Sequence, residues 1–164
     1  MFKPKRIIIH CTDSTWGSVA EITKWHKARG FREIGYHYVI LNGKKLNNKF
    51  NPMDDGIVQG GRSLAEKGAH SKGQNHDSIG IALVGVDEFT VNQLFSLRHL
   101  LSGLMETYNI PLNKIYPHSR FNSKKTCPNF NVYEFVSENL QERITEDEVM
   151  KAIDTLAKWK AQKG

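Results

Sequence analysis

Two histidines and a cysteine carry the chemistry that is easiest to read in this chain. His10 closes an apolar run, Ile7-Ile8-Ile9, and His118 closes a late one at Ile115 to His118. Cys127 follows His118 by nine residues and precedes Pro128. Two imidazoles and one thiolate are a ligand set suited to zinc, and three protein ligands leave a coordination position for water, as a catalytic site requires. Zinc would bring the pKa of that water to about 7 and polarise a carbonyl. The three residues are not in a compact metal motif. Spacing alone therefore leaves two other readings open: histidines bonded within the fold beside an inert buried cysteine, and a thiol hydrolase pairing Cys127 with His118. The second reading gives His10 no task.

These residues need elements to bring them together. Arg6 to His10 reads as a short buried strand, its β-branched isoleucines suited to a sheet core. Val19 to Arg29 places Val19, Ile22, Trp25 and His26 at helical spacing, with Gly30 where a left-handed cap falls. Tyr36 to Leu41 alternates as a strand, and Asn42-Gly43 predicts a tight hairpin into Lys44 to Leu46. Asn47 to Asp55 reads as a loop inserted between strands, after which Gly56 to Gly60 resumes the sheet. Ser78 to Gly85 is nearly all apolar, the pattern of a central strand covered on both faces. Thr90 and Gln93 form a capping-box pattern ahead of Leu94, Leu97, Leu101 and Leu104, which predicts a helix to Tyr108. Val132 to Leu140 reads as a further helix. A last one begins at Thr145, with Val149, Ile153, Leu156 and Lys160 along one stripe.

The fold class predicted is α/β: one domain with a central mixed sheet and helices packed on both faces, spanning residues 1–140, with 141–164 a helical extension. At 164 residues and 39% hydrophobic content, the chain is long enough for a real core. Two cysteines, Cys11 and Cys127, fit a reducing compartment or a metal site better than a secreted disulfide scaffold. The apolar part of the N-terminal stretch is too short for a signal-peptide core, and no segment approaches membrane-spanning length. Cytoplasmic synthesis without membrane insertion is the expectation. The charge of +6, from 23 Lys and Arg against 17 Asp and Glu, suits a polyanionic partner without choosing among nucleic acid, anionic membrane and bacterial wall. The basic residues are dispersed, as on an ordinary solvated face.

Six blocks in order carry a resemblance: Ile7 to Thr12, Trp25-His26-Lys27, Gly35 to Ile40, Gly68-Ala69-His70, Asn75 to Gly80, and Lys125-Thr126-Cys127-Pro128. Together they resemble the type 2 N-acetylmuramoyl-L-alanine amidases, a family that includes phage lysins and the related peptidoglycan-recognition proteins. His followed by Cys at the first strand's end, and Lys-x-Cys-Pro, are similar to the phage branch in particular. The resemblance implies a phage-type endolysin that cleaves the amide between the lactyl group of N-acetylmuramic acid and L-alanine, acting on the wall after release. It implies zinc on His10, His118 and Cys127. It further implies that Tyr36 and Lys125 face the bound water and carbonyl, with Lys125 as a cation for the oxyanion and Tyr36 orienting water or passing a proton. Peptidoglycan is the implied partner, bound by a monomer, and nucleic acid is not expected.

His70, Asn75 and Ser78 surround the loop that lines the substrate groove in the family, and each is either a substrate contact or a loop-shaping hydrogen bonder. Strand alternation directs Cys11 away from His10 as a buried thiol and His37 away from Tyr36 as a structural histidine, and His26, in a helix, is read as structural too. Two alternatives accompany the resemblance: a peptidoglycan-binding module without turnover, and a lysin that also inhibits a phage RNA polymerase. Two features depart from the close phage pattern. The loop at 47–55 is longer, and so by one residue is the stretch from His118 to Cys127, which selects Lys125 over Lys124 as the residue two before the cysteine. The helix after Thr145 lies outside the resemblance.

Overall fold

The computed structural model describes residues 1–140, so the extension predicted for 141–164, with its helix from Thr145, lies outside the described residues. Five strands form one mixed sheet in the order β3-β2-β4-β1-β5. They are β1 (Arg6–Cys11), β2 (Tyr38–Asn42), β3 (Asp55–Gly60), β4 (Ser78–Leu83) and β5 (Ile115–Pro117). β1 runs parallel to β4 and β5, and β2 runs parallel to β4; β3 alone is antiparallel, along β2. The C-terminal ends of four strands thus share one edge of the sheet, the edge where open α/β sheets bind ligands.

Among the described residues three helices cover the sheet: α1 (Val19–Ala28), α2 (Val91–Tyr108) and α3 (Val132–Asn139). Period-two alternation divides the apolar side chains between the faces. Ile7 and Ile9 of β1, with Ile79, Ile81 and Leu83 of β4, pack on Leu97, Leu101 and Leu104 of α2 and on Val132 and Val136 of α3. On the other face, Val39, Leu41 and Val84 pack with Ile22 of α1. Every residue of β4 is buried, as expected for a central strand covered on both sides. The α2 capping box is present: Thr90 Oγ1 accepts from Gln93 N, while Gln93 Oε1 accepts from Thr90 N. Gln93 is fully buried and its Nε2 also donates to Ile40 O and Val84 O, tying the helix start to β2 and the end of β4.

The hairpin prediction needs correction. Asn42 and Gly43 do turn the chain, with φ +80° at Gly43 and Asn42 Oδ1 accepting from Lys44 N. The returning strand, however, is β3, starting at Asp55, and not Lys44 to Leu46. The carbonyl of Lys44 accepts from Gly17 N and that of Gly43 from Asn51 N, so these residues are held outside the ladder. The second strand also starts later than predicted, at Tyr38 rather than Tyr36. Among the described residues, no helix is long and apolar enough to cross a membrane.

Candidate metal centre

His10 is the penultimate residue of β1 and is 1% exposed, so its ring is fixed by the sheet. His118 follows the last residue of β5 and opens a short 3-10 turn. Because β5 pairs with β1, two strand ends deliver two imidazoles side by side, with ring centroids 4.4 Å apart. Cys127 comes from a loop that closes on itself: Ser119 N donates to Cys127 O at 3.0 Å, bringing the thiol back beside His118. Cys11 N then donates to Cys127 Sγ at 3.2 Å and anchors the sulfur at the end of β1. The ligand atoms of His10, His118 and Cys127 all lie within 4.8 Å of one another.

This donor set fits zinc. A tetrahedral site with ordinary Zn–N and Zn–S bonds separates its ligand atoms by roughly 3.3 to 3.6 Å. The three side chains need only a modest contraction to reach that. The backbone N–H on Cys127 Sγ is the kind of partner that stabilises a thiolate ligand. Burial holds the pKa of His10 well below 6.5, aided by His70 and His118, and His118 is lowered by burial and by the charge of Lys125. Both rings are therefore neutral at pH 7, as ligands must be.

Above these atoms opens a cavity of about 330 Å³, lined also by Tyr36, Arg29, Phe31, Lys124, Lys125 and Asn129. Tyr36 packs its ring 5.1 Å from that of His10, and burial pushes its phenol above the ordinary range, with the nearby thiols adding to the shift. It thus stays protonated and can act only as an O–H donor in the cavity or as an acceptor through its lone pairs. Lys125 is exposed at the same cavity, at the end of a turn in which its N–H donates to Asn122 O. The five residues predicted as ligands and chemical groups, His10, His118, Cys127, Tyr36 and Lys125, are brought together.

Of the three groove residues, His70 alone reaches the cavity. Asn75 Oδ1 accepts from His70 N and Ser71 N, shaping the loop, and Asn75 does not line the cavity. Ser78 is fully buried, with its Oγ donating to Gln74 O. His70 does line the cavity, but its ring is bound inside the protein, with Nδ1 2.9 Å from His10 Nε2.

Cys11 is buried and is not in the ligand cluster. Its thiol is nonetheless engaged: Asn129 Nδ2 reaches its sulfur, and a hydrogen bond with Cys127 draws its pKa to about 7 while Cys127 is raised by the same bond and by burial. A cation held among the imidazoles would favour the thiolate on Cys127, because Cys127 and not Cys11 is in the ligand cluster. His26 and His37 are structural. His26 Nδ1 accepts from Gly35 N, and His37 Nδ1 accepts from Gly80 N while its Nε2 donates to Glu66 O. Tyr36 and His37 precede β2, and the ring of His37 is 5.9 Å from that of His70.

Sequence reasoning missed Arg29 and Asn129 at the cavity. Arg29 caps α1, a position that says nothing about where the side chain lies. Asn129 offered one signal, an asparagine directly after the Cys-Pro pair, where it adopts φ +67° and its amide bridges Val86 O and the Cys11 sulfur.

Residues 1–130 match the family model described as N-acetylmuramoyl-L-alanine amidase. The chain is 34% identical to the endolysin of Enterobacteria phage T3, covering 89% of this chain and 95% of the relative. Its fold is similar to that of the N-acetylmuramoyl-L-alanine amidase LysC from Clostridium intestinale, with TM-score 0.72, 29% identity and coverage of 87% and 88%. Drosophila peptidoglycan recognition protein SD, at 21% identity, TM-score 0.65 and coverage of 88% and 87%, shares the fold.

Proposed function

The chain belongs to the N-acetylmuramoyl-L-alanine amidase family, and on that premise we propose that it is a zinc-dependent endolysin that hydrolyses the amide between the lactyl group of N-acetylmuramic acid and L-alanine in peptidoglycan. The observation that carries this reading is the convergence of His10, His118 and Cys127 beneath the one cavity that also holds Tyr36 and Lys125.

His10, His118 and Cys127 would hold zinc, which would supply a Lewis acid and a water acidic enough to attack at neutral pH. The rest falls to the chain. Lys125 keeps a positive charge at the cavity wall, where it offsets the negative charge that develops on the amide oxygen during attack. It lines the same cavity as His118. Tyr36 holds its phenolic proton and donates it as a hydrogen bond, either to that oxygen or to the departing nitrogen of L-alanine. His10 and His118 stay neutral and oriented, and the Cys11 N–H holds the Cys127 sulfur in place. The thiol-hydrolase alternative is disfavoured by the same geometry. A nucleophilic cysteine needs a histidine as base, yet here two histidines and the thiol converge on one point, with His10 more deeply buried than His118.

Digestion of purified wall tests the proposal. New stem peptides with a free N-terminal alanine, lost on chelation and restored by zinc, are the result expected. Reducing-end sugars in their place, or activity that survives chelation, would overturn it. Wall lysis after cytoplasmic synthesis and release, and a domain boundary near residue 140, belong to the same proposal. A chain ending at residue 140 should retain zinc and cleave wall.

A further inference from the structure

Four hydrogen bonds behind the candidate metal centre set a direction that the mechanism above does not use. Ser78 Oγ donates to Gln74 O at 2.7 Å, so its proton is spent. The Nε2 of His70 lies 3.4 Å from that Oγ and 3.4 Å from the Ser78 carbonyl. A carbonyl can only accept, and the hydroxyl has only lone pairs left to offer. His70 must therefore carry its proton on Nε2. Its Nδ1 is then an acceptor, and the partner 2.9 Å away, His10 Nε2, has to be the donor. A neutral His10 with a proton on Nε2 has a bare lone pair on Nδ1, the only ring nitrogen left for a cation.

We propose that Ser78, His70 and His10 form a directional hydrogen-bond chain that fixes the tautomer and ring orientation of His10, making His70 a positioning residue for the metal and not a substrate contact. This rests on His10 being a ligand, as argued above.

The surroundings of His70 are built for the task. Its backbone N–H is held by Asn75 Oδ1 at 2.9 Å. Its ring lies on Gly80, where a Cβ would come within 2.5 Å of ring atoms, and on Gly68, where one would collide with Cδ2. His37 closes another side with its ring, itself fixed by Gly80 N and Glu66 O. Both nitrogens of His70 are used within the protein, so although the ring borders the cavity it offers a muramyl peptide no polar atom. Ligating histidines characteristically donate their second N–H to an outer partner, and loss of that partner weakens metal binding. Here the partner is a second histidine, which unlike a carboxylate adds no charge to the site.

The test uses the whole chain with His70→Phe, which fills the space without an acceptor, and His70→Asn, whose amide oxygen can occupy the place of Nδ1. Zinc affinity is read by competition with a chromophoric chelator. His70→Phe should bind zinc about 10- to 100-fold more weakly, while His70→Asn should stay within about threefold of wild type. Nitrogen-15 NMR of metal-free wild type should show the His10 proton on Nε2, a readout that needs no variant to fold. Wild-type zinc affinity in a folded His70→Phe, or a His10 proton on Nδ1, would overturn the proposal. The amidase reading fails separately: zinc effects as described, with no wall cleavage by the wild type, would remove the activity and leave the chain of hydrogen bonds standing.

Discussion

His26 offers a prediction whose size follows from its environment. The residue is 6% exposed, and its Nδ1 accepts from Gly35 N at 3.0 Å. Burial, helped by the charges of Arg29 and Arg62, lowers its pKa to about 4. In the unfolded chain the same ring takes up a proton near pH 6.5. As pH falls from 6.5 towards 4 the unfolded state binds the proton and the folded state does not, so stability is complete above this window and lost within it. By pH 5 the loss from this one residue is about 2 kcal/mol. His26→Asn keeps an acceptor for Gly35 N and removes the titration. The variant loses ring packing on Tyr36 and Phe31 at every pH, yet its stability should fall less steeply in acid. Urea unfolding of metal-stripped protein, followed by tryptophan fluorescence at pH 7 and pH 5, should give wild type an extra loss of about 2 kcal/mol relative to the variant. Equal losses would refute the assignment of His26 as a buried neutral ring.

Three other outcomes are expected. Lys125→Met should lower kcat on wall by about 10²- to 10³-fold, the usual cost of losing an oxyanion partner, with zinc stoichiometry unchanged. Tyr36→Phe should lower kcat by about 10²-fold or more while binding zinc normally, and a loss seen only in KM would reassign the phenol to substrate binding. Gln93→Leu should cost about 3 kcal/mol in urea unfolding, because it strips the buried Ile40 and Val84 carbonyls of their shared donor; turnover per folded molecule should not change.

Which features were legible in the sequence follows from how local their causes are. The capping box at Thr90 and Gln93, the leucine stripe of α2 and the nearly all-apolar β4 are set by patterns within a few residues, and they appear where those patterns predict them. The return of β2 through β3 depends on where the 43–54 segment is tied, through Gly17 N to Lys44 O and Asn51 N to Gly43 O, contacts that no local pattern encodes. The Asn42-Gly43 turn was visible, but the strand it implied was not there. At the site, the resemblance pointed to residues that converge. It did not separate residues facing the cavity from those behind it. Ser78 and Asn75 lie in the right segment yet face inward, and His70 reaches the cavity with both nitrogens already bonded. Arg29 is the converse case, a helix-capping residue brought to the cavity by tertiary packing alone.

Zinc content measured together with reaction product, for wild type and Cys127→Ser, tests the metal centre most directly. One zinc per chain in the wild type, release of peptides beginning with alanine, and parallel loss of both in Cys127→Ser are the results predicted. A wild type that cleaves wall without zinc, or a Cys127→Ser protein that keeps full zinc and full cleavage, would contradict it.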